Sequence, residues 1–241
     1  MVTLSGCGGG GGGGDLEDAP VEHKSFAFSG KTLRIDAGNS AVELVPADVR
    51  DVEVTRRVDG WVVLGSGPHP VWRMDGDTLT LRVRCRAMIS DCESLHQVKV
   101  PRGVALEVDA DNGQVSASGF DTRLALGSSN GRVVVRDSSG PLTLRSDNGA
   151  VVAERISAKS VDARSNNGSV ELAFTGVPDL VDTVSDNGRV VVELPKGGRA
   201  YAVAAEADNG DVSVRVPRSE SSPHVVKARS SNGEVTVRRA N

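Results

Sequence analysis

Two groups of residues could carry chemistry, and the sequence around each argues against it. Gly30-Lys31-Thr32 ends a stretch similar to a phosphate-binding loop, but Ser25 stands where that loop needs its first glycine. The residues that follow, LRIDA, alternate like a strand, so no helix N-terminus is available for a phosphate. The histidines lie in separate segments without ligand spacing, which is typical of isolated surface side chains: His23, His69, His96 and His224. We therefore predict no catalytic residues, no metal site and no cofactor.

Cys7 belongs to the one motif that indicates a covalent modification. Leu4 to Cys7, LSGC, resembles the bacterial lipobox, whose cysteine becomes the lipid-bearing first residue of the mature protein. Seven glycines and the polar DLEDAP follow, a composition typical of a flexible tether. Only MVTLSG precedes the cysteine, so a true start upstream of Met1 or a trimmed leader is expected. We predict lipidation at Cys7 and a disordered tether over residues 1–24.

Cys85 and Cys92 have a different role in this interpretation. Their spacing, in CRAMISDC, fits neither CxxC redox chemistry nor a zinc site. Outside the cytoplasm two such cysteines are expected to pair and close a short loop, worth about 2–3 kcal/mol. The sequence predicts a structural disulfide, with free thiols as the alternative.

A repeated phrase dominates the rest of the chain. Its Asn-Gly pairs, a strong turn signal because both residues tolerate positive φ, recur at spacings of 18 to 23 residues. Valine stands three positions after each asparagine, and apolar and polar residues alternate before and after the pair, which is typical of strands. The pairs are Asn112-Gly113, Asn130-Gly131, Asn148-Gly149, Asn167-Gly168, Asn187-Gly188, Asn209-Gly210 and Asn232-Gly233. A period near 20 residues indicates a solenoid.

The residue two before each asparagine is always small, as in Ser128, Ser146 and Ala207. A stacked corner needs this, because each corner side chain lies on its neighbour about 4.8 Å away. A degenerate eighth coil surrounds Asn39, with Ser40 in place of glycine. The rival architecture is an antiparallel meander or sandwich with Asn-Gly hairpins. It predicts regular chemistry in the alternate turns, which are irregular here, so the solenoid is favoured.

The predicted fold is all-β, a parallel β-helix or β-solenoid of roughly 20-residue coils with Asn-Gly corners. One domain is expected over residues 25–241. Residues 25–105 would form an irregular N-terminal coil and a cap that includes the Cys85–Cys92 loop, and residues 106–241 the regular repeats. Trp61 and Trp72 are interpreted as cover for the first coil, since an open stack end exposes apolar residues.

The register of the repeats brings charged residues together without indicating a catalytic site. Arg145 and Arg164 fall on adjacent coils, as do Asp162 and Asp182, a pattern that a solvated face explains. Aspartates precede several of the asparagines, but Ser129, Asn166 and Ser231 interrupt that column, and the calcium-binding nonapeptide is absent. We expect neither an enzyme nor a calcium site.

One outward-facing feature is apolar. Val134, Val152 and Val191 stand four residues after their asparagines, where the other coils carry polar residues. An exposed apolar strip of this kind can mark a contact surface. The three valines are therefore the candidate binding surface, although β-branched residues also simply favour strands.

The bulk composition limits the partners. The net charge is -4, only 3% of the residues are aromatic, and no basic patch is visible, so nucleic acid is not expected. No stretch approaches the roughly 18 apolar residues that span a bilayer, so the expected membrane contact is the lipid anchor alone.

The repeated phrasing resembles the bacterial family of adhesin-like β-repeat proteins, a domain family without an assigned function. The resemblance rests on QVKVPRGVALEVDADNGQVSASGF and RLALGSSNGRVVVRDSSGPLTLRSDNGAV and covers roughly residues 30 to 241. It implies a parallel β-helix-like fold that acts outside the cytoplasm, on lipoproteins and envelope proteins. No catalytic residues carry over from the family.

Three functions are weighed on this basis. The expected one is a non-catalytic lipoprotein on the outer side of the bacterial cell membrane, which binds or scaffolds a cell-envelope component through its outer faces. The alternative is an envelope-stress or signalling accessory that docks on a membrane protein. A carbohydrate-active β-helix enzyme is disfavoured, because it needs converging carboxylates that the sequence does not show.

Overall fold

The structure, a computed structural model, describes residues 19–240, and of residues 61–67 and 85–91 it describes only the backbone. Nineteen β-strands account for the regular structure of this part of the chain. In chain order they are β1 Val21–Phe26, β2 Thr32–Gly38, β3 Ala41–Ala47, β4 Val52–Asp75, β5 Thr78–Pro101, β6 Ala105–Ala110, β7 Val115–Ser118, β8 Leu124–Ser128, β9 Val133–Arg136, β10 Leu142–Ser146, β11 Val151–Ile156, β12 Ser160–Ser165, β13 Val170–Phe174, β14 Leu180–Asn187, β15 Val190–Leu194, β16 Ala202–Asn209, β17 Val212–Arg215, β18 Val225–Asn232 and β19 Val235–Arg239.

Each coil consists of two strands that meet at an asparagine corner. The strands before the corner pair in parallel with those of neighbouring coils and form the first sheet; the strands after it form the second sheet in the same way. Leu142, for example, lies beside Leu124 on one side and Val161 on the other. The predicted β-solenoid is confirmed, and the antiparallel meander is wrong.

The core lies between the two sheets, where the period-2 alternation of the sequence places it. Leu124 and Leu126 of β8 point inward, as do Val133 and Val135 of β9, and all four are buried. Since successive side chains of a strand point to opposite faces, the polar residues between them face solvent. The core of valine, leucine and alanine needs few aromatic residues because each coil lies only one strand spacing from the next.

The stack does not follow chain order at its C-terminal end. β18 pairs with β14 on one side and with β16 on the other, and β19 lies in the same way between β15 and β17. The last coil in sequence is therefore inserted before the coil that precedes it. The coil of β16 and β17 forms the end of the stack.

A three-stranded cap covers the opposite end. β5 pairs in parallel with β2 and β3 of the first coil, whereas β4 pairs with β5 and β1 pairs with β4 in antiparallel orientation. Trp72 of β4 packs on Phe26 of β1 edge to face, with ring centroids 6.5 Å apart, and the Arg56 guanidinium lies 3.9 Å from the Trp72 ring centroid. The side chain of Trp61 lies outside the described ones.

His96, interpreted from the sequence as an isolated surface residue, is fully buried in this cap, so that interpretation is wrong. It lies on β5 between Val42 of β3 and Arg56 of β4, and neither ring nitrogen has a hydrogen-bond partner within the described structure. Burial lowers its pKa to about 4, and the charge of Arg56 acts in the same direction.

Candidate functional site

The asparagines of all eight coils form one continuous ladder along the corner. Each side-chain amide donates from Nδ2 to the Oδ1 of the asparagine one coil nearer the cap, over 2.5 to 3.1 Å. In spatial order the ladder consists of Asn39, Asn112, Asn130, Asn148, Asn167, Asn187, Asn232 and Asn209. It links every coil to the next and fixes their register.

The small residue two before each asparagine has a specific role inside the corner. Ser146 Oγ donates to the carbonyl of Gly131 in the neighbouring coil at 2.9 Å and accepts from the amide of Gly149 in its own coil at 2.8 Å. Ser128, Ser165, Ser185 and Ser230 donate to neighbouring glycine carbonyls in the same way. Serine thus satisfies buried backbone groups that a tight corner leaves unpaired.

The glycines are required for a reason different from the one predicted. A Cβ added at Gly131, Gly149 or Gly168 would lie less than 3 Å from the carbonyl of the neighbouring corner. Positive φ does not explain them, because Gly210 alone of the corner glycines has it, and the described non-glycine residues with positive φ are Asp137 and Arg155. The Asn-Gly pairs form the predicted corners, but positive φ is not the reason; glycine is needed for close approach between coils.

The valine strip is not an exposed surface. Val134 and Val152 face away from the core as predicted and lie side by side, but they are only 3% and 5% exposed. The longer Arg136 and Glu154 flank them and form an ion pair at 2.9 Å. The expectation of an exposed apolar strip is wrong for these two valines, and Val191, two coils further along, is half-buried.

An open groove of about 410 Å³ lies on the outer face of the second sheet instead. We call it the second-sheet groove and define it by Val152, Glu171, Arg189, Val191, Glu193 and Arg238. Arg189 pairs with Glu171 at 2.8 Å, and Arg238 pairs with Glu193 across neighbouring coils. The hydrogen bond to Glu171, together with its charge, raises the pKa of the Arg189 guanidinium. Fixed charges of both signs therefore alternate along a partly apolar floor.

Sequence reasoning missed most of this groove. Its charged residues recur two, four and six positions after the asparagine, and that offset was a usable signal for Glu171 and Arg189. The neighbouring positions of Glu193 and Arg238 were not accessible in this way, because they depend on the inserted last coil.

The outer face of the first sheet carries the charged residues that the sequence placed on adjacent coils. Arg145 lies beside Arg164, and Asp162 lies beside Asp182. Asp162 accepts two hydrogen bonds from Arg164 at 2.9 and 3.0 Å and raises the pKa of that guanidinium. Such pairs are what a solvated mixed-charge face produces.

The remaining candidates divide between covalent and metal chemistry. Cys7 lies outside the described residues, so its lipidation stays a prediction. Cys92 is disulfide-bonded; the side chain of Cys85 is not among those described, and the predicted pairing stays a prediction. Within the described residues no three His, Cys, Asp or Glu side chains are grouped as metal ligands. The same part of the chain contains no helix long and apolar enough to cross a membrane.

The fold and its surfaces define a class of protein: a capped β-solenoid whose coils are joined by a polar corner ladder. The model of one family, the Toastrack family DUF4097, matches residues 98–240. The chain belongs to this Toastrack family.

Solved structures agree with the fold. One of a "putative adhesin" from Bacteroides fragilis has a TM-score of 0.53 at 15% identity and covers 92% of this chain and 97% of its own. Another "putative adhesin", from Parabacteroides distasonis, has a TM-score of 0.51 at 13% identity and covers 91% and 98%. No curated protein matches the chain.

Proposed function

We propose that this protein is a non-catalytic binding module of the bacterial cell envelope, tethered by a lipid on Cys7, that contacts an envelope component through the outer faces of its solenoid. The observation that carries the proposal is the second-sheet groove, where Arg189 and Arg238 are held by carboxylates on a stable sheet surface. Rigid strands preorganise these charges, which lowers the entropic cost of binding.

The absence of a catalytic constellation in the described residues supports the same proposal. Catalytic acids and bases commonly combine a perturbed pKa with access to a substrate. His96 has the perturbed pKa but is buried under the cap. Asp137 has a lowered pKa mainly because it accepts hydrogen bonds from Arg155 in an exposed ion pair, and the charges of Arg155 and Arg136 act in the same direction. The names of the solved structures with this fold, which describe adhesins, support an extracytoplasmic location.

Co-sedimentation with intact cells, purified wall and membrane vesicles tests the proposal. The groove variant is Arg189→Ala with Arg238→Ala, and the matched control is Arg34→Ala with Arg164→Ala on the first sheet. All four arginines are about half exposed and ion-paired. We expect the wild type and the control to pellet with one fraction and the groove variant to lose most of that binding.

Two outcomes would count against the proposal. Failure of the wild type to pellet with any fraction contradicts an envelope-binding module. Equal loss in both variants contradicts the assignment to the groove and indicates that general surface charge is responsible.

A further inference from the structure

The two ends of the solenoid differ in how far other strands cover the terminal coil. β5, β4 and β1 cover the first coil, and its core residues are fully buried. Beyond the coil of β16 and β17 the structure places no further strand from the described residues; only the isolated bridge between Arg218 and Tyr201 covers the outer side just before β16. Its inward-facing side chains are only partly buried, and Val212 is 45% exposed. We call the outer side of β16 and β17 the open edge.

The backbone of the open edge is also available for pairing. The amide of Ala202 donates to the carbonyl of His224, and the carbonyl of Asp211 accepts from the amide of Val235. These groups therefore point along the stack toward the inserted coil. Because alternate residues of a parallel strand hydrogen-bond to opposite sides, the amides of Val203, Ala205 and Ala207 point outward. By the same alternation, the backbone amides of Val212 and Val214 point away from the inserted coil, toward the open edge. A sheet edge of this kind, with apolar side chains, is a ready template for another strand.

We propose that the open edge pairs with the open edge of a second copy of this chain, around a two-fold axis through the Asn209–Gly210 corner. In that arrangement β16 of one copy runs antiparallel to β17 of the other, and the two corners lie against each other. Ala205 then faces Val214 of the second copy, and Ala207 faces Val212. The two residues of each facing pair lie at the same sequence distance from the Asn209–Gly210 corner. The two-fold axis therefore forms both β16–β17 pairings at once.

Three properties favour a second copy as the occupant. Each facing pair joins residues whose amides point outward and whose side chains point into the core, so hydrogen bonding and apolar burial are satisfied together. Small alanines face β-branched valines, which suits close packing. The contact is two-fold and uses the open edge of both copies, so the assembly closes at two copies.

The charges at the axis predict how the pairing responds to salt. Glu206 of one copy lies diagonally across from Arg215 of the other, which is favourable. Asp208 and Asp211 face each other across the axis, which brings four exposed carboxylates together. Their repulsion weakens the dimer at low ionic strength and is screened as salt rises.

Sedimentation equilibrium of the full chain, in a Cys7→Ser background that excludes an intermolecular disulfide at that residue, tests the proposal. Val212→Lys is the disrupting variant, and Val71→Lys on the capped end, where Val71 is 39% exposed, is the matched control. A two-chain mass is expected for the wild type and the control. Val212→Lys should weaken association by about tenfold or more, and Asp208→Asn with Asp211→Asn should strengthen it, most clearly at low salt.

The variant Asp208→Asn with Asp211→Asn keeps the test valid even if Val212→Lys fails to fold, because the proposal predicts stronger association for it. A one-chain mass at every concentration for the wild type and for that variant overturns the proposal and leaves a strand from a different protein as the occupant of the open edge. A two-chain mass that Val212→Lys leaves unchanged also overturns it, since the contact then lies elsewhere.

Discussion

At the scale of single residues, the corner shows why the same three residue types return in most coils. The serine hydroxyl bridges the amide of its own coil and the carbonyl of its neighbour, the glycine permits the approach, and the asparagine joins the ladder. Each requirement comes from the adjacent coil rather than from the local turn. An isolated Asn-Gly hairpin would need the glycine but not the serine.

Gly149→Ala tests this explanation of the glycine. Its Cβ would lie less than 3 Å from the Gly131 carbonyl and from Ser146 Oγ, and backbone cannot move aside cheaply. We expect a loss of about 1–3 kcal/mol in the free energy of unfolding, the usual cost of overpacking. Chemical denaturation measures it.

Gly198→Ala is the matched control, because an added Cβ there has no described atom within 4 Å and its φ is not positive. It should stay within about 0.5 kcal/mol of the wild type. Equal stability of the two variants would contradict the close-approach explanation.

At the scale of elements, the cap depends on an uncharged histidine. His96 on β5 is fully buried beside Arg56 of β4, and Arg56 donates to Glu22 of β1 at 2.8 Å. A proton on His96 would place a second positive charge in the same buried layer. The three cap strands are therefore coupled to the protonation of one side chain.

The lowered pKa of His96 fixes the sign of a pH dependence. Its ordinary value is 6.5 and its folded value is about 4, so the unfolded chain binds the proton more tightly. The free energy of unfolding should fall by about 3 kcal/mol as pH drops from about 6.5 to about 4, and level off below that. Urea denaturation at a series of pH values measures this loss.

His96→Leu removes the titrating group and should flatten the stability profile across that window, while His69→Leu, at an exposed position, should retain the wild-type profile. A His96→Leu profile as steep as that of the wild type would assign the acid sensitivity to other groups.

The sequence supported the coils but only part of the site. Period-2 alternation and the recurring corner sufficed to predict both sheets and their inward faces, because burial of residues such as Leu124 and Val133 follows directly from the pleat. Exposure of Val134 and Val152 was mispredicted because it depends on whether longer neighbours, here Arg136 and Glu154, cover them. That information lies in adjacent coils.

At the scale of the whole molecule, the unpredicted feature is the order of the last two coils. Seven coils present an Asn-Gly corner, and the ladder bonds on both sides of the inserted coil are alike: Asn232 donates to Asn187 at 2.9 Å, and Asn209 donates to Asn232 at 3.1 Å. Interchangeable corners give the sequence no signal for which coil follows which. The insertion nevertheless completes the second-sheet groove and leaves the coil of β16 and β17 at the open edge.

Engineered cysteine pairs distinguish the inserted order from chain order. Glu193 lies directly beside Arg238 in the structure, whereas Arg215 lies on the far side of Arg238, two strand spacings or about 10 Å from Glu193. A disulfide needs Cα atoms within about 7 Å.

In a Cys7→Ser background, Glu193→Cys with Arg238→Cys should therefore cross-link under mild oxidation, and Glu193→Cys with Arg215→Cys should not. Mass spectrometry of unreduced digests identifies the linked peptides. Chain-order stacking reverses both results, because it places β17 directly on β15; cross-linking of the second pair alone would contradict the inserted coil and, with it, the groove and open edge derived from it.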